Sequence, residues 1–261
     1  MTMKDIAKDP HRQYNEIQPD TTVGDLVVRH PLLRPYLEQL GLDYCCGGKK
    51  SLLDAAQQAG QNWPTVKIVL QRALELEPEG NVGTNWNTAP LSRLADHIVA
   101  KHHAFTKEQL PRLDGLLSKV QNAHGAQHGE MLGHLRRVYG ALRAELEAHL
   151  MKEEQILFPA IKGIDAFMSG IGDRPVFHCG SIFSPIRQME YEHDSAGKAL
   201  AELRQITDNF RLPADACPTF EALYDGLKDL EADLHEHIHL ENNIFFPRSV
   251  DREEEMNNKD R

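Results

Sequence analysis

The sequence predicts an all-α protein: an antiparallel four-helix bundle preceded by a small helical module. Three observations carry this reading. Four apolar ladders beyond residue 86 advance in steps of three and four, the seam of a helix bundle rather than the alternation of a sheet. Two of the ladders end in one pattern, H-x-x-x-E-x-x-I-[LF]-F-P, repeated 88 residues apart. A stretch rich in Gly, Pro and Asn, Glu77 to Asn85, divides this region from a shorter helical one.

Composition narrows the function classes. The chain has 261 residues, 41% of them hydrophobic, which is enough for a core and excludes wholesale disorder. A formal charge of −10 argues against nucleic acid as the main partner. No apolar run approaches the ~18 residues of a membrane span, and Met1 to Ile6 lacks the apolar core of a signal peptide. Four Cys, two of them adjacent, are too few for a disulfide framework, so the expected setting is a reduced cytoplasm. The figure that stands out is 14 His.

Residues 1–19 are polar and aperiodic, a mobile lead-in. The module at 20–76 opens with Asp20 or Thr21 as a helix cap. A second stripe (Leu32, Leu33, Tyr36, Leu37, Leu40) follows, with Gly41 as C-cap. The turn Asp43-Tyr44-Cys45-Cys46-Gly47-Gly48 precedes two more helices, Ser51 to Ala59 and Trp63 to Leu76. Residues 77–85 form the linker, 86–250 the bundle and 251–261 a charged C-terminal tail.

Within the bundle, one helix carries Leu132, Leu135, Tyr139, Leu142, Leu146, His149, Glu153 and Ile156. Its repeat carries Phe220, Leu223, Leu227, Leu230, Leu234, His237, Glu241 and Ile244, and Pro159 and Pro247 are expected to end the two. The partner helices place His103 with Leu110, Leu113 and Leu117, and His193 with Ala196, Leu200 and Leu203, at an offset of 90. Counting from turns near His124 and Ala214 at ~1.5 Å per residue brings all six polar seam residues within two helical turns of one level.

Buried carboxylates without partners are costly, and no Lys or Arg lies on the seams to neutralise Glu153 and Glu241. Metal supplies the missing charge. Four His and two Glu exceed the needs of one tetrahedral zinc and suit two first-row ions bridged by the carboxylates. His-x-x-x-Glu puts both side chains on one helix face, one turn apart. Spacing alone does not choose between iron and manganese.

Residues 86–250 resemble the hemerythrin-like di-iron domain, whose H-x-x-x-E-E-x-x-L-F-P signature is matched by His149 to Pro159. Residues 20–60, with Asp43 to Gly48, resemble the small N-terminal domain of the repair-of-iron-centres family. The resemblance implies a hemerythrin-like bundle and two iron ions, carboxylate-bridged with an oxo or hydroxo ligand. It assigns His103, His149, Glu153, His193, His237 and Glu241 as ligands. It further implies repair of iron–sulfur clusters damaged by nitrosative or oxidative stress, through iron donation to the damaged iron–sulfur proteins. The alternative is a protein that binds or reduces nitric oxide, or another small diatomic, as scavenger or sensor. A homodimer is the family-like expectation. Residues 1–19 and a Gly-rich insert at 162–184, with Cys179, depart from the family pattern and receive no assignment.

Secondary candidates surround these ligands. Of His102 and His103 only one is expected to face inward, and the ladder selects His103. His97 is placed to hydrogen-bond a ligand or to sit at the surface, and His235 and His239 are expected in solvent. Glu145, one turn before His149, and Glu192 are candidates to orient an imidazole or line a channel. Cys45 and Cys46 are read three ways: an unreactive turn, a redox or iron-transfer pair, or a transient metal seat. A stable bridge between adjacent Cys is disfavoured by strain, and Gly47-Gly48 suggests accessible, reactive thiols.

Overall fold

A computed structural model describes residues 17–75, 84–177 and 180–259. The lead-in up to residue 16, residues 76–83 (which take in most of the linker), Cys179 and the last two residues of the tail lie outside the described residues. The chain divides into two compact units, with the boundary after Asn87. The described residues are helical in both; the sole strand-like pairing among them is an isolated bridge between Thr22 and Ser51.

The N-terminal unit holds α1 (Val23–Arg29), a 3-10 turn (Pro31–Leu33), α2 (Arg34–Leu40), α3 (Leu52–Gln58) and α4 (Trp63–Glu75). Thr22, not Asp20 or Thr21, caps α1, its hydroxyl accepting from the Asp25 amide at 3.1 Å. Gly41 ends α2 at φ 70°, a left-handed conformation that glycine adopts without penalty. Ser51 caps α3. Val23, Leu26, Val27, Leu33, Leu37, Leu52, Val66 and Leu70 close the core. Asn87, placed by the sequence at the bundle's start, donates to the Val28 carbonyl at 3.4 Å within this unit.

The second unit begins with α5 (Leu91–Ile98) and a π-helical turn (Val99–His103), which lead into α6 (Ala104–Lys152). Helix α6 breaks once, at His128 (φ −122°, ψ 20°). A straight helix would hold His103 and Glu154 about 75 Å apart. They meet at 2.8 Å, and Tyr139 donates to the Leu110 carbonyl at 2.6 Å, so the two legs of α6 run antiparallel about that break. A π-turn (Glu153–Leu157) joins α6 to α7 (Phe158–Met168). Helix α8 (Phe183–Ile206) and α9 (Pro218–Leu240) form the second hairpin, and a third π-turn (Glu241–Phe245) leads to α10 (Phe246–Asn258). Asp208, Asn209 and Phe210 turn the chain out of α8 with φ between 48° and 58°. Burial of Phe210 against Tyr224 and the Arg204 guanidinium offsets its strain.

The predicted ladders form the core: Leu110, Leu113, Leu117, Leu135, Tyr139, Leu142, Leu200, Leu203, Phe220, Leu223, Leu227 and Leu230 are all buried in one cluster. Two expectations need correction. Pro159 and Pro247 do not end their helices. Proline lacks an N–H and crowds the carbonyl four residues back, so the helix widens by one residue: the Phe158 amide bonds to Glu153 O, and the Phe246 amide to Glu241 O. The extra residue shifts the register, which leaves Ile156 63% exposed and buries Leu157 in its place. The stretch read as a charged tail continues as helix α10 to Asn258, with Glu253 and Met256 buried. There Glu253 accepts from the Ile182 amide and the Ser181 hydroxyl, tying down part of the 162–184 insert.

Candidate metal centre

Three of the six ladder residues sit on π-turns: His103 closes the first, Glu153 opens the second and Glu241 opens the third. His149 and His237 lie one turn before the two carboxylates, and His193 projects from the middle of unbroken α8. The structure brings all six together in the bundle interior. Glu153, Glu241 and His103 are 0% exposed, and the remaining three imidazoles no more than 3%.

The six form two overlapping groups. One is His103, His237, Glu153 and Glu241; the other is His149, His193, Glu153 and Glu241. Each places four donor atoms within 4.8 Å of one another. Glu153 reaches His149 Nε2 with Oε1 (3.3 Å) and His103 Nε2 with Oε2 (3.4 Å). Glu241 reaches His237 Nε2 with Oε1 (3.1 Å) and His193 Nε2 with Oε2 (3.1 Å). Each carboxylate therefore spans both groups.

Outer partners decide which imidazole nitrogen faces inward. His149 Nδ1 donates to Glu192 Oε2, His103 Nδ1 to Glu154 Oε1 and His193 Nδ1 to Asn242 Oδ1, each at 2.8 Å. Protons held on Nδ1 leave the Nε2 lone pairs pointing to the centre. There, the Nε2 atoms of His149 and His193 face each other at 3.1 Å, and those of His103 and His237 at 3.2 Å. Both oxygens of Glu153 and Oε2 of Glu241 make no hydrogen bond. Opposed lone pairs and orphaned buried carboxylate oxygens are unfavourable unless a cation lies among them.

The electrostatics agree. Burial depresses the His149 imidazolium, but Glu153, Glu241 and Glu192 overcome it and lift the group to about 9. His103 rises for the same reason, Glu153 opposing its burial. Glu153, pushed up by burial and by Glu241, is held below the usual carboxylate range by His149 and His103. His237 and His193 hold Glu241 well below that range despite its burial. The site gathers positive charge onto itself. Imidazole and carboxylate donors in two groups sharing both carboxylates are consistent with a carboxylate-bridged di-iron centre.

The other candidates fall into place around it. Glu192 binds His149, as one reading of the sequence had it, and is clamped by Lys152 and Gln188. Glu145 does not touch an imidazole; it accepts from Ser195 at 3.0 Å and helps line a pocket with Glu192, Ala196, His149 and His193. His102 corrects the expectation that only one of the adjacent pair faces inward. The wider π-turn carries both rings inward, His102 bonding Asp233 at 2.9 Å and stacking on His237 with centroids 5.6 Å apart. His97 packs edge-on against His102 at 5.8 Å. His239, expected in solvent, is buried and bonded to Asn243, whereas His235 is partly exposed.

The reading of the residues missed Glu154, Asn242 and Asp233. The repeat held a signal for the first two: the residue following each seam glutamate binds the imidazole of the preceding helix.

In the N-terminal unit, Asp43 Oδ1 accepts from the amides of Cys45 (3.0 Å) and Cys46 (2.9 Å) and from the Cys45 thiol (3.2 Å). The two sulfurs are 3.7 Å apart and not bridged. The expected accessibility holds for Cys46 alone, which is partly exposed; Cys45 is buried. The Cys46 thiol, burial and Asp43 push the Cys45 thiol well above its ordinary pKa, away from the nucleophilic thiolate. Nor do the glycines loosen the turn. A Cβ on Gly47 would lie 2.8 Å from the Asp43 carbonyl oxygen, and Gly48 is packed against α1, its carbonyl accepting from Gly24. Asp43, Cys45 and Cys46 together place three donor atoms within 4.8 Å.

The family model of the hemerythrin HHE cation binding domain matches residues 94–249. A second model, a domain of unknown function (DUF542), matches residues 19–73. The chain is 38% identical over 231 residues to the iron-sulfur cluster repair protein YtfE of Enterobacter sp. (strain 638), covering 88% of this chain and 97% of that one. It is 37% identical to the protein of that name from Escherichia coli O81 (strain ED1a) and 36% identical to the one from Citrobacter koseri, with the same coverage. Among the described residues, no helix is long and apolar enough to cross a membrane.

Proposed function

The chain belongs to the hemerythrin-like family of iron–sulfur cluster repair proteins, and from that premise we propose that it restores damaged iron–sulfur clusters from a di-iron centre. His103, His149, Glu153, His193, His237 and Glu241 are the proposed ligands, and damaged iron–sulfur proteins in the cytoplasm the proposed clients. One observation carries the reading: two buried carboxylates, each spanning two imidazole pairs and short of hydrogen bonds, in a bundle whose relatives bear that name. When bound, two iron ions supply redox-active cations that can be passed on or can take a small diatomic ligand.

The chain's own residues set how firmly such ions are held. Four neutral imidazoles and two carboxylates give a ligand set less negative than a carboxylate-rich one, which favours release over tight retention. Glu192, Glu154 and Asn242 keep three of the imidazoles oriented through loading and unloading. The buried leucines around them exclude water from the helix seam.

The pocket reaching His149, His193 and His237 favours a second reading, in which nitric oxide is bound or reduced at the same centre. Iron counting before and after incubation with a cluster-damaged client separates the two. Repair predicts iron lost from this protein in step with recovery of the client's cluster. Unchanged iron together with catalytic nitrous oxide formation refutes repair and supports the second reading.

A further inference from the structure

The internal repeat holds three of the four ligand imidazoles in one way and the fourth in another. The residue after each seam glutamate serves one imidazole in each half. Glu154 accepts from His103 Nδ1, and Asn242, 88 residues on, accepts from His193 Nδ1, both at 2.8 Å. The residue before each first-helix histidine faces the other two. Glu192 precedes His193 and accepts from His149 Nδ1 at 2.8 Å. Its counterpart 90 residues earlier is His102, which precedes His103 and meets His237.

Here the two halves differ. The rings of His102 and His237 lie parallel within 8°, centroids 5.6 Å apart, so the in-plane nitrogens of one do not point at the other. His102 Nδ1 is engaged with Asp233 Oδ1 at 2.9 Å, and its Nε2 bonds nothing among the described residues. Asp233, one turn before His237 on α9, is the acceptor that helical spacing offers. Its Oδ1 is taken by His102, however, and its Oδ2 makes no hydrogen bond among the described residues. His237 Nδ1 is thus buried without a hydrogen-bond partner among them, on a residue 1% exposed.

Resting on the di-iron reading, we propose that the two metal positions are unequal: the one completed by His103 and His237 is the weaker and gives up its ion first. Both positions share Glu153 and Glu241, and each has one imidazole backed by a carboxylate. The comparison reduces to Asn242 behind His193 against no acceptor behind His237. The cost falls on the loaded state. Without an ion, His237 can carry its proton on Nε2 and donate to Glu241 Oε1, 3.1 Å away. An ion bound at Nε2 leaves the proton on Nδ1, where a buried N–H without an acceptor is unfavourable. At His103, His149 and His193 the acceptor is in place for the loaded form. Loss of one such partner lowers metal affinity ten- to a hundredfold, so the positions should differ by about that factor.

Two cations sharing carboxylates repel each other, so release in two steps does not by itself rank the positions; the place of the remaining ion does. The full chain, loaded with two ferrous ions, is brought to one iron per chain by anaerobic chelator titration and crystallised, and the iron is located by anomalous diffraction. The expected result is at least about three-quarters of the iron between His149 and His193, the share that a tenfold ratio gives to independent positions. His102→Glu supplies the carboxylate that the other half carries as Glu192, and should bring the two shares toward equality. Equal shares in the unsubstituted chain, or a majority between His103 and His237, overturn the proposal without recourse to any variant. So does a folded His102→Glu chain that keeps the parent's shares. A chain that takes up one iron at saturation overturns the di-iron reading together with the proposal.

Discussion

Glu192→Ala removes the acceptor that His149 Nδ1 uses at 2.8 Å, and Glu154→Ala removes the acceptor of His103 Nδ1 at the same distance. His149 belongs to the group completed by His193, and His103 to the group completed by His237, so the two substitutions address different metal positions. Loss of such an outer partner lowers metal affinity ten- to a hundredfold, or about 1.4 to 2.7 kcal/mol. The lysines released with them add little, because Lys152 and Lys107 are 36% and 51% exposed and their ion pairs lie at the surface. Both groups share Glu153 and Glu241, so the position not addressed should weaken too, but by less than the targeted one. Anaerobic competition with a graded chelator reads this directly. Each variant should give up one iron per chain at a lower chelator concentration and the second close to where the unsubstituted protein releases it. Glu202→Ala, which breaks a surface pair with His134, serves as the control. Folded variants that hold both irons as tightly as the parent would refute the orienting role. Loss of both irons together in each variant would refute the assignment to separate positions.

Two further outcomes follow from the geometry. Gly47→Ala puts a Cβ 2.8 Å from the Asp43 carbonyl oxygen and 3.0 Å from its Oδ2, an overpacking worth about 1 to 3 kcal/mol. Hydrogen exchange should report a weakened N-terminal unit while iron stoichiometry in the bundle stays constant; unaltered protection around Asp43 would contradict the close fit. The second concerns pH. Burial raises the Glu192 carboxyl, yet Lys152, Gln188 and His149 hold it down at about 2, below the ~4.3 of an unfolded glutamate. A carboxyl depressed on folding stabilises the fold above its unfolded pKa, and that contribution drains away as pH falls from about 4.5 through 2. Lys152→Met should lift the Glu192 midpoint in a carboxyl-resolved NMR titration, and an unmoved midpoint would show that the lysine is not what holds it.

Much of the bundle was legible in the chain itself. Steps of three and four decide which side chains share a helix face, whatever lies opposite, so Leu110, Leu135, Tyr139, Leu223 and Leu227 could be assigned to the core without knowing their partners. The same arithmetic, applied to a repeat, brought four imidazoles and two carboxylates to one level. Its failures are local. Ile156 and His102 were misplaced because a π-turn inserts one residue into the count, and the prolines that accompany two of these turns read equally well as helix stops.

The linear pattern of apolar and polar residues by itself determined the bundle, the small capped module before it and the convergence of the six ligand candidates, since all of these rest on helical periodicity. Only the tertiary structure decided which nitrogen His103, His149 and His193 present, that Cys45 is buried while Cys46 is partly exposed, and that His102 and His239 are buried. These depend on which side chain a neighbouring helix brings within about 3 Å, a distance that spacing along one helix does not encode.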